Sequence, residues 1–180
     1  GTRSASGRSD RSGELAGAER RWNGSRERYR PLMTHPAERG RMYSDILIPT
    51  DGSREARAAI DHGTGIASRY DATVHALHVV DTRLTRSGPL LETLLRAGRE
   101  AIREVEVACA RSGRPVVTDI VEGNPAEAIL AYVAEHDVDL VVMGTHGRTG
   151  IDRVLMGSVA ERVVRRSPVP VVTVRDGSDG

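Results

Sequence analysis

The sequence predicts a doubly wound α/β fold, in which helices cover both faces of a parallel sheet. Five short aliphatic runs alternate with amphipathic, helix-like segments between Tyr43 and Val174. Near-continuous aliphatic runs of this kind are typical of strands buried on both faces of a parallel sheet. The chain contains no phenylalanine, and aromatic residues make up 3% of it. The core must therefore consist mainly of Val, Leu, Ile and Ala.

The first three elements are a strand, a helix and a strand. Residues 45–50 (DILIPT) form a short apolar run that a proline ends, which predicts a buried strand. Residues 52–70 carry small and branched apolar side chains at helical spacing, and Ser53 or Asp51 is available to cap this helix. Two internal glycines weaken the helix prediction. Residues 72–81 (ATVHALHVVD) are rich in strand-forming residues.

The same alternation continues through the middle of the chain. Residues 90–113 form a long amphipathic segment that ends in Gly113, a residue suited to the position after a helix. Residues 115–123 (PVVTDIVEG) predict a strand. Residues 124–137 predict a helix with Asn124 at its N-cap and a proline in its first turn.

A buried strand at 138–144, a short helix at 158–167 and a strand at 169–174 complete the predicted pattern. Because connections between parallel strands are right-handed, five strands with intervening helices predict a doubly wound sheet. Ligands of such sheets lie outside the carboxyl ends of the strands, where the strand order reverses. We expect three segments to converge there: 49–53, 79–81 and 143–158.

The last of these segments contains glycines at a distinctive spacing, Gly144-x2-Gly147-x9-Gly157-Ser158. A glycine at a strand end lets a ligand approach the backbone closely. Gly157-Ser158 opens a helix whose first amides lack partners within the helix and favour an anion, and Ser158 either caps this helix or bonds a phosphate oxygen. The alternative is a long loop with a glycine turn and an ordinary serine cap. The position after the fourth strand favours a phosphate cradle.

All 26 basic residues are arginine. This excludes any mechanism that needs a lysine, including a Walker A phosphate lysine or a Schiff base. Positive charge beside a phosphate would therefore come from arginine, for which Arg148 and Arg153 are the candidates within the glycine segment.

The glycine spacing resembles the fingerprint Gly-x2-Gly-x9-Gly-Ser/Thr of the universal stress protein family, ATP-binding subclass. The stretches ILIPTDGS (46–53), LHVVD (77–81) and SPVPVVTVR (167–175) also resemble the first, second and last strands of that family. The resemblance covers residues 42–175. We accordingly predict a single Rossmann-like, five-stranded parallel sheet of strand order 3-2-1-4-5.

The resemblance implies an ATP site, with magnesium compatible only through the phosphates and water and with no protein-only metal site. Residues from the first, second and fourth strands would contact adenosine, and the glycine segment would hold the phosphates. The implied nucleotide-binding residues are Pro49, Thr50, Asp51, Val79, Met143, Gly144, Gly147, Arg148, Gly157, Ser158 and Val159. The resemblance also implies a homodimer in which the terminal strand, Val169–Val174, pairs antiparallel with its mate.

We divide the chain into a disordered Arg/Ser/Gly-rich extension at 1–41, a nucleotide-binding domain at 42–176 and a tail at 177–180. The extension holds ten arginines against five acidic residues, a charge of +5, which leaves −4 of the total +1 for the rest. It is interpreted as an upstream extension, with a basic arm for nucleic acid as the alternative. Nucleic-acid binding is disfavoured because the body is acidic and the extension offers few aromatics for stacking.

The favoured function is that of an ATP-binding regulatory protein in the stress response. A slow ATPase or phosphotransferase is the first alternative, although no motif fixes the groups that phosphoryl transfer needs. A single cysteine, Cys109, excludes an internal disulfide and a cysteine-rich zinc site, and it is expected to pack in the core. His75 and His78 are expected on opposite faces of a strand, and His62, His136 and His146 are scattered along the chain. The single cysteine also predicts a reducing, cytoplasmic setting. The absence of long apolar runs predicts that the chain has no membrane span.

Overall fold

The computed structural model describes residues 42–81, 83, 88–146 and 156–176. Within these ranges helices and strands alternate as predicted. The elements are β1 (Asp45–Pro49), α1 (Arg54–Tyr70), β2 (Thr73–Asp81), α2 (Gly88–Ser112), β3 (Val116–Gly123), α3 (Pro125–Glu135), β4 (Leu140–Gly144), α4 (Ser158–Arg166) and β5 (Val171–Val174). The predicted extension at 1–41 and tail at 177–180 lie outside the described residues.

The strands form one parallel sheet in the order β3-β2-β1-β4-β5, which confirms the predicted fold and strand order. β1 is central, and its Ile46 lies opposite Val74 of β2 on one side and Leu140 of β4 on the other. β3 and β5 are the two outer strands of the described sheet. β1 is therefore covered by strands on both sides and by helices on both faces.

Successive side chains of β1 enter two different cores. Ile46 and Ile48 pack with residues of α1 and α2 on one face, and Leu47 packs with residues of α3 and α4 on the other. All three are fully buried, and burying one such side chain stabilises the fold by about 1.5–3 kcal/mol. The crossover helices change face after β3, so the strand order reverses between β1 and β4. The carboxyl ends of these two strands therefore form the switch point of the sheet.

Local signals account for the helix boundaries. The Oγ of Ser53 accepts a hydrogen bond from the amide of Ala56 (3.1 Å) and caps α1. Asn124 is the N-cap of α3, and a proline occupies its first turn. Gly113 follows α2 with φ +66°, as expected of a residue that ends a helix in the left-handed region.

Helix α1 is continuous through its two internal glycines. A Cβ on Gly63 would lie 2.5 Å from Cδ1 of Ile48, so the glycine lets α1 approach the central strand closely. Gly65 has no neighbour that a Cβ would meet within 4 Å. The glycine at 63 is thus a packing requirement, and the one at 65 is not.

Candidate functional site

The turn from β1 to α1 is fixed by several short-range hydrogen bonds. The Thr50 amide donates to the carbonyl of Leu77 (2.9 Å), and Oγ1 of Thr50 accepts from the amide of Gly52 (3.3 Å). Oδ1 of Asp51 accepts from the amide of Ser53 (3.0 Å), so Asp51 orders the turn while Ser53 caps the helix. Gly52 has φ +76°, a conformation that L side chains rarely adopt. This turn places the Asp51 carboxylate at the carboxyl edge of the sheet.

The tip of β4 lies beside this turn because α1 packs against it. A Cβ on Gly144 would lie 2.8 Å from Cβ of Glu55 and 3.2 Å from the amide nitrogen of Ala56. The sequence suggested that Gly144 is a glycine to admit a ligand, whereas the structure requires a glycine for helix packing. Met143, which the resemblance places on the adenosine side, has its side chain buried among the core residues next to α3 and α4.

Thr145 connects three elements of the site. Its amide donates to the carbonyl of Val174 in β5 (2.9 Å), and its carbonyl accepts from the amide of Gly157 (2.8 Å). The second bond holds the start of α4 next to the tip of β4. Thr145 was not among the residues predicted from the sequence, because a hydrogen bond between backbone groups twelve residues apart leaves no pattern in the side chains.

At the start of α4, the alternative in which Ser158 caps the helix is wrong. Gly157 is the N-cap residue and has no side chain to accept a hydrogen bond, while Ser158 is the first helical residue and is exposed. The first helical hydrogen bond runs from Glu161 to the carbonyl of Gly157 (2.9 Å). The amides of Ser158, Val159 and the next residue therefore have no acceptor inside α4. Together with the helix dipole, they favour an anion at this end.

Two ion pairs lie near this edge of the sheet. Arg54, the first residue of α1, forms an ion pair with Asp176 after β5 (2.8 Å). At the end of β2, the guanidinium of Arg83 donates to the carboxylate of Asp81 and holds the pKa of Asp81 below its usual range. Val79 precedes this pair and is half-buried against the core.

Two of the predicted site residues, Gly147 and Arg148, lie outside the described residues. Of the others, the structure brings Pro49, Thr50, Asp51, Gly144, Gly157 and Ser158 to the carboxyl edge around the switch point. In the described part of the chain, no group of three or more His, Cys, Asp or Glu side chains is placed to hold a metal ion. Two surface cavities of about 500 and 630 Å³ lie elsewhere, the first between α2 and β3 and the second between α1 and β5.

The histidines are arranged in part as the sequence predicts. His75 and His78 do face opposite sides of β2, as predicted. His136, scattered from the other histidines in the sequence, lies near His75 in the fold: its ring stacks on Tyr132 with centroids 3.7 Å apart and lies 6.1 Å from the ring of His75. The spacing of these residues along the chain could not show that α3 brings them together over β2.

Comparisons with known proteins agree with this architecture. The model of the universal stress protein family matches residues 42–175. A universal stress protein of Methanocaldococcus jannaschii is 39% identical over 141 residues, which covers 74% of this chain and 83% of the relative. A putative universal stress protein of Staphylococcus aureus is 33% identical, and the match covers 74% of this chain and 84% of the relative.

Solved structures show the same similarity. The hypothetical protein MJ0577 superposes with a TM-score of 0.70 at 31% identity, covering 77% of this chain and 99% of that one. A universal stress protein crystallised in complex with cAMP superposes with a TM-score of 0.59 at 28% identity, covering 74% and 97% of the two chains.

The fold and the edge just described define the class: a doubly wound α/β protein with a helix N-terminus at the switch point of its sheet. Within that class, the chain belongs to the universal stress protein family. None of the helices in the described ranges is long and apolar enough to cross a membrane.

Proposed function

We propose that this protein binds ATP at the carboxyl edge of its sheet and acts as a regulatory nucleotide-binding module. The observation that carries the proposal is the hydrogen bond from the Gly157 amide to the Thr145 carbonyl (2.8 Å). This bond places the start of α4, whose first amides have no acceptor inside the helix, next to the tip of β4 and the β1–α1 turn that presents Asp51. A helix N-terminus and a carboxylate at one switch point suit a ligand with a phosphate chain and a ribose. A relative that was crystallised with cAMP supports an adenine nucleotide.

In this proposal, the two ends of the site have different tasks. The β1–α1 turn, with Asp51, takes the ribose and adenine, and Val79 and Gly144 border the same side. The amides that follow Gly157 take the phosphates. Gly147 and Arg148 join the phosphate side on the strength of the glycine spacing, and magnesium would be held by phosphates and water.

Substitution of Gly157 by aspartate offers a sharp test, because it separates folding from binding. Gly157 has φ −61° and ψ 148°, an ordinary N-cap conformation, and aspartate is a favourable N-cap residue. Gly157→Asp should therefore keep or slightly raise the free energy of unfolding. The added negative charge at the phosphate end should abolish ATP binding.

The matched control is Gly157→Asn, a cap of nearly the same shape without the charge. Isothermal calorimetry with ATP, with and without magnesium, should show binding to the wild type, weaker binding to the asparagine variant and none to the aspartate variant. Wild-type protein that is folded but has no ATP affinity below the millimolar range would refute the proposal. Equal binding by both variants would show that the phosphates lie elsewhere.

We also propose a homodimer formed through β5. β5 is an outer strand of the described sheet, and its Val172 is 37% exposed. Outer strands with exposed apolar side chains favour pairing with another chain. The prolines at 168 and 170 precede the strand and leave the edge formed by Val171–Val174 available for an antiparallel partner.

A further inference from the structure

His78 connects β2 to the turn that presents Asp51. The imidazole is 7% exposed, and its Nδ1 lies 2.8 Å from the carbonyl oxygen of Thr50. A carbonyl oxygen only accepts hydrogen bonds, so Nδ1 must carry the hydrogen and donate it. The Thr50 amide donates to Leu77, the residue before His78. Both backbone groups of Thr50 are therefore bonded to the same short stretch of β2.

Helix α2 packs directly against the other side of this imidazole. A Cβ on Gly98 would lie 2.5 Å from Cδ2 and 3.0 Å from Nε2 of His78. Gly98 is buried and lies inside α2, where a glycine costs about 1 kcal/mol relative to alanine. The glycine thus gives the ring the space that it needs to reach Thr50, and α2 prevents the ring from turning away.

We propose that His78 is a positioning residue for the adenosine side of the nucleotide site. It holds the Thr50 carbonyl, and through it the turn from Thr50 to Ser53, without contacting the ligand itself. Gly98 of α2 maintains the ring in its donating position. This inference rests on the proposed nucleotide site for its effect on binding, but its effect on the turn exists without ligand.

His75 provides a matched comparison on the same strand. It is 6% exposed, close to the value for His78, but faces the opposite side of the sheet. Its Nε2 lies 3.0 Å from Oδ1 of Asp45, and its Nδ1 lies 3.1 Å from the hydroxyl oxygen of Tyr132. These partners belong to the amino end of β1 and to α3. Loss of the His75 side chain should therefore cost stability without changing the turn at the carboxyl edge.

The test compares His78→Leu, His78→Asn and His75→Leu in the full chain. Asparagine offers an amide NH₂ close to the position of Nδ1, whereas leucine has no donor. We expect His78→Leu to weaken ATP binding about tenfold, the effect of losing one hydrogen bond to a buried carbonyl. His78→Asn should bind within about threefold of the wild type, and His75→Leu should bind like the wild type at a temperature where all the variants are folded.

Gly98→Ala tests the hydrogen bond between His78 and the Thr50 carbonyl while the imidazole is still present. The added Cβ would displace the imidazole from Thr50, so ATP binding should weaken as it does in His78→Leu. Gly65→Ala is the control, since nothing lies within 4 Å of a Cβ there and the residue is also inside a helix. It should leave the ATP affinity unchanged.

Amide hydrogen exchange without ligand reports on the turn directly. The Thr50 amide bonds the Leu77 carbonyl at one end of the β1–β2 pair, and the Thr73 amide bonds the Ser44 carbonyl at the other. His78→Leu should raise exchange at Thr50 about tenfold relative to Thr73, and His75→Leu should not. Long-range ¹⁵N spectra of the wild type should show the hydrogen of His78 on Nδ1.

Unchanged Thr50 exchange in folded His78→Leu would overturn the inference, and so would equal losses of affinity in His78→Asn and His78→Leu. A wild-type protein that binds no ATP would instead refute the nucleotide site, while the exchange rates would still decide whether His78 fixes the turn.

Discussion

Gly144 at the tip of β4 and Glu55 in the first turn of α1 are so close that no side chain fits between them. A Cβ on Gly144 would lie 2.8 Å from Cβ of Glu55 and 3.0 Å from its carbonyl carbon. The second of these atoms is backbone, so a rotamer change cannot relieve the contact. Helix α1 can therefore lie this close to the sheet at the switch point only because residue 144 has no Cβ.

Gly144→Ala should consequently destabilise the fold and disturb the proposed site together. Overpacking of this kind costs about 1–3 kcal/mol. We expect a lower midpoint of urea unfolding with an unchanged slope, and weaker ATP binding at a temperature where the variant is folded. Gly65→Ala, inside α1 and with open space around it, should be neutral or stabilising by up to about 1 kcal/mol. Equal stability of the two variants would contradict the packing role of Gly144.

Ser53 and Ser158 stand at the starts of two helices but should respond differently to alanine. Ser53 caps α1, so Ser53→Ala should lower the free energy of unfolding by about 1 kcal/mol. Ser158 lies inside the first turn of α4 and makes no cap bond, so Ser158→Ala should change stability by less than about 0.5 kcal/mol. If the hydroxyl of Ser158 bonds a phosphate, this variant should still bind ATP several-fold more weakly. Chemical unfolding and calorimetry measure the two effects separately.

Cys109 should make stability depend on alkaline pH. The thiol is fully buried on α2, and burial raises its pKa from 9.0 to about 11. The unfolded chain therefore loses this proton first as the pH rises. The folded state keeps its full stability from this group below pH 9 and loses it between about pH 9 and 11, by on the order of 2 kcal/mol.

The measurement for Cys109 is the difference in unfolding free energy between the wild type and Cys109→Ala as a function of pH. Tyr132, whose pKa is also raised by burial, contributes equally to both proteins and cancels. The difference should be constant below pH 9 and shrink above it. A difference that stays constant to pH 11 would show that the thiol is not protected from ionisation in the folded state.

The outer strands allow a test of the proposed dimer. Val172 on β5 and Val117 on β3 are 37% and 45% exposed and lie at opposite edges of the sheet. Val172→Glu should convert the protein from dimer to monomer, because each partner would bring a charged carboxylate into the proposed interface. Val117→Glu should remain dimeric. Light scattering at micromolar concentration distinguishes the two masses, and a monomeric wild type would contradict the proposal outright.

Local patterns in the sequence were sufficient to predict the order of the elements and the cap at Asn124, and they narrowed the cap of α1 to Ser53 or Asp51. These features depend on neighbouring residues and on the burial of each strand. The true roles of Gly63, Gly98 and Gly144 could not be predicted in the same way. Each depends on a helix that packs back onto a strand distant in sequence, so the reason for the glycine lies in the partner. The contact of His136 with Tyr132 and His75 was missed for the same cause.

The arrangement of the candidate site could likewise be predicted from the sequence only in part. The predicted doubly wound sheet indicated which segments meet at the carboxyl edge. It could not show that Gly157, and not Ser158, occupies the cap position, nor that Thr145 joins β5 to α4. Hydrogen bonds between backbone groups do not depend on residue type, so they leave no trace in the sequence.

The bond between the Thr145 carbonyl and the Gly157 amide also has a consequence for how this region can vary. It joins two backbone groups that lie twelve positions apart in the sequence. Because neither bonded group belongs to a side chain, residues 145 and 157 can change identity without removing the bond, provided that position 157 keeps its amide hydrogen. The strand tip and the start of α4 therefore keep their separation through such substitutions.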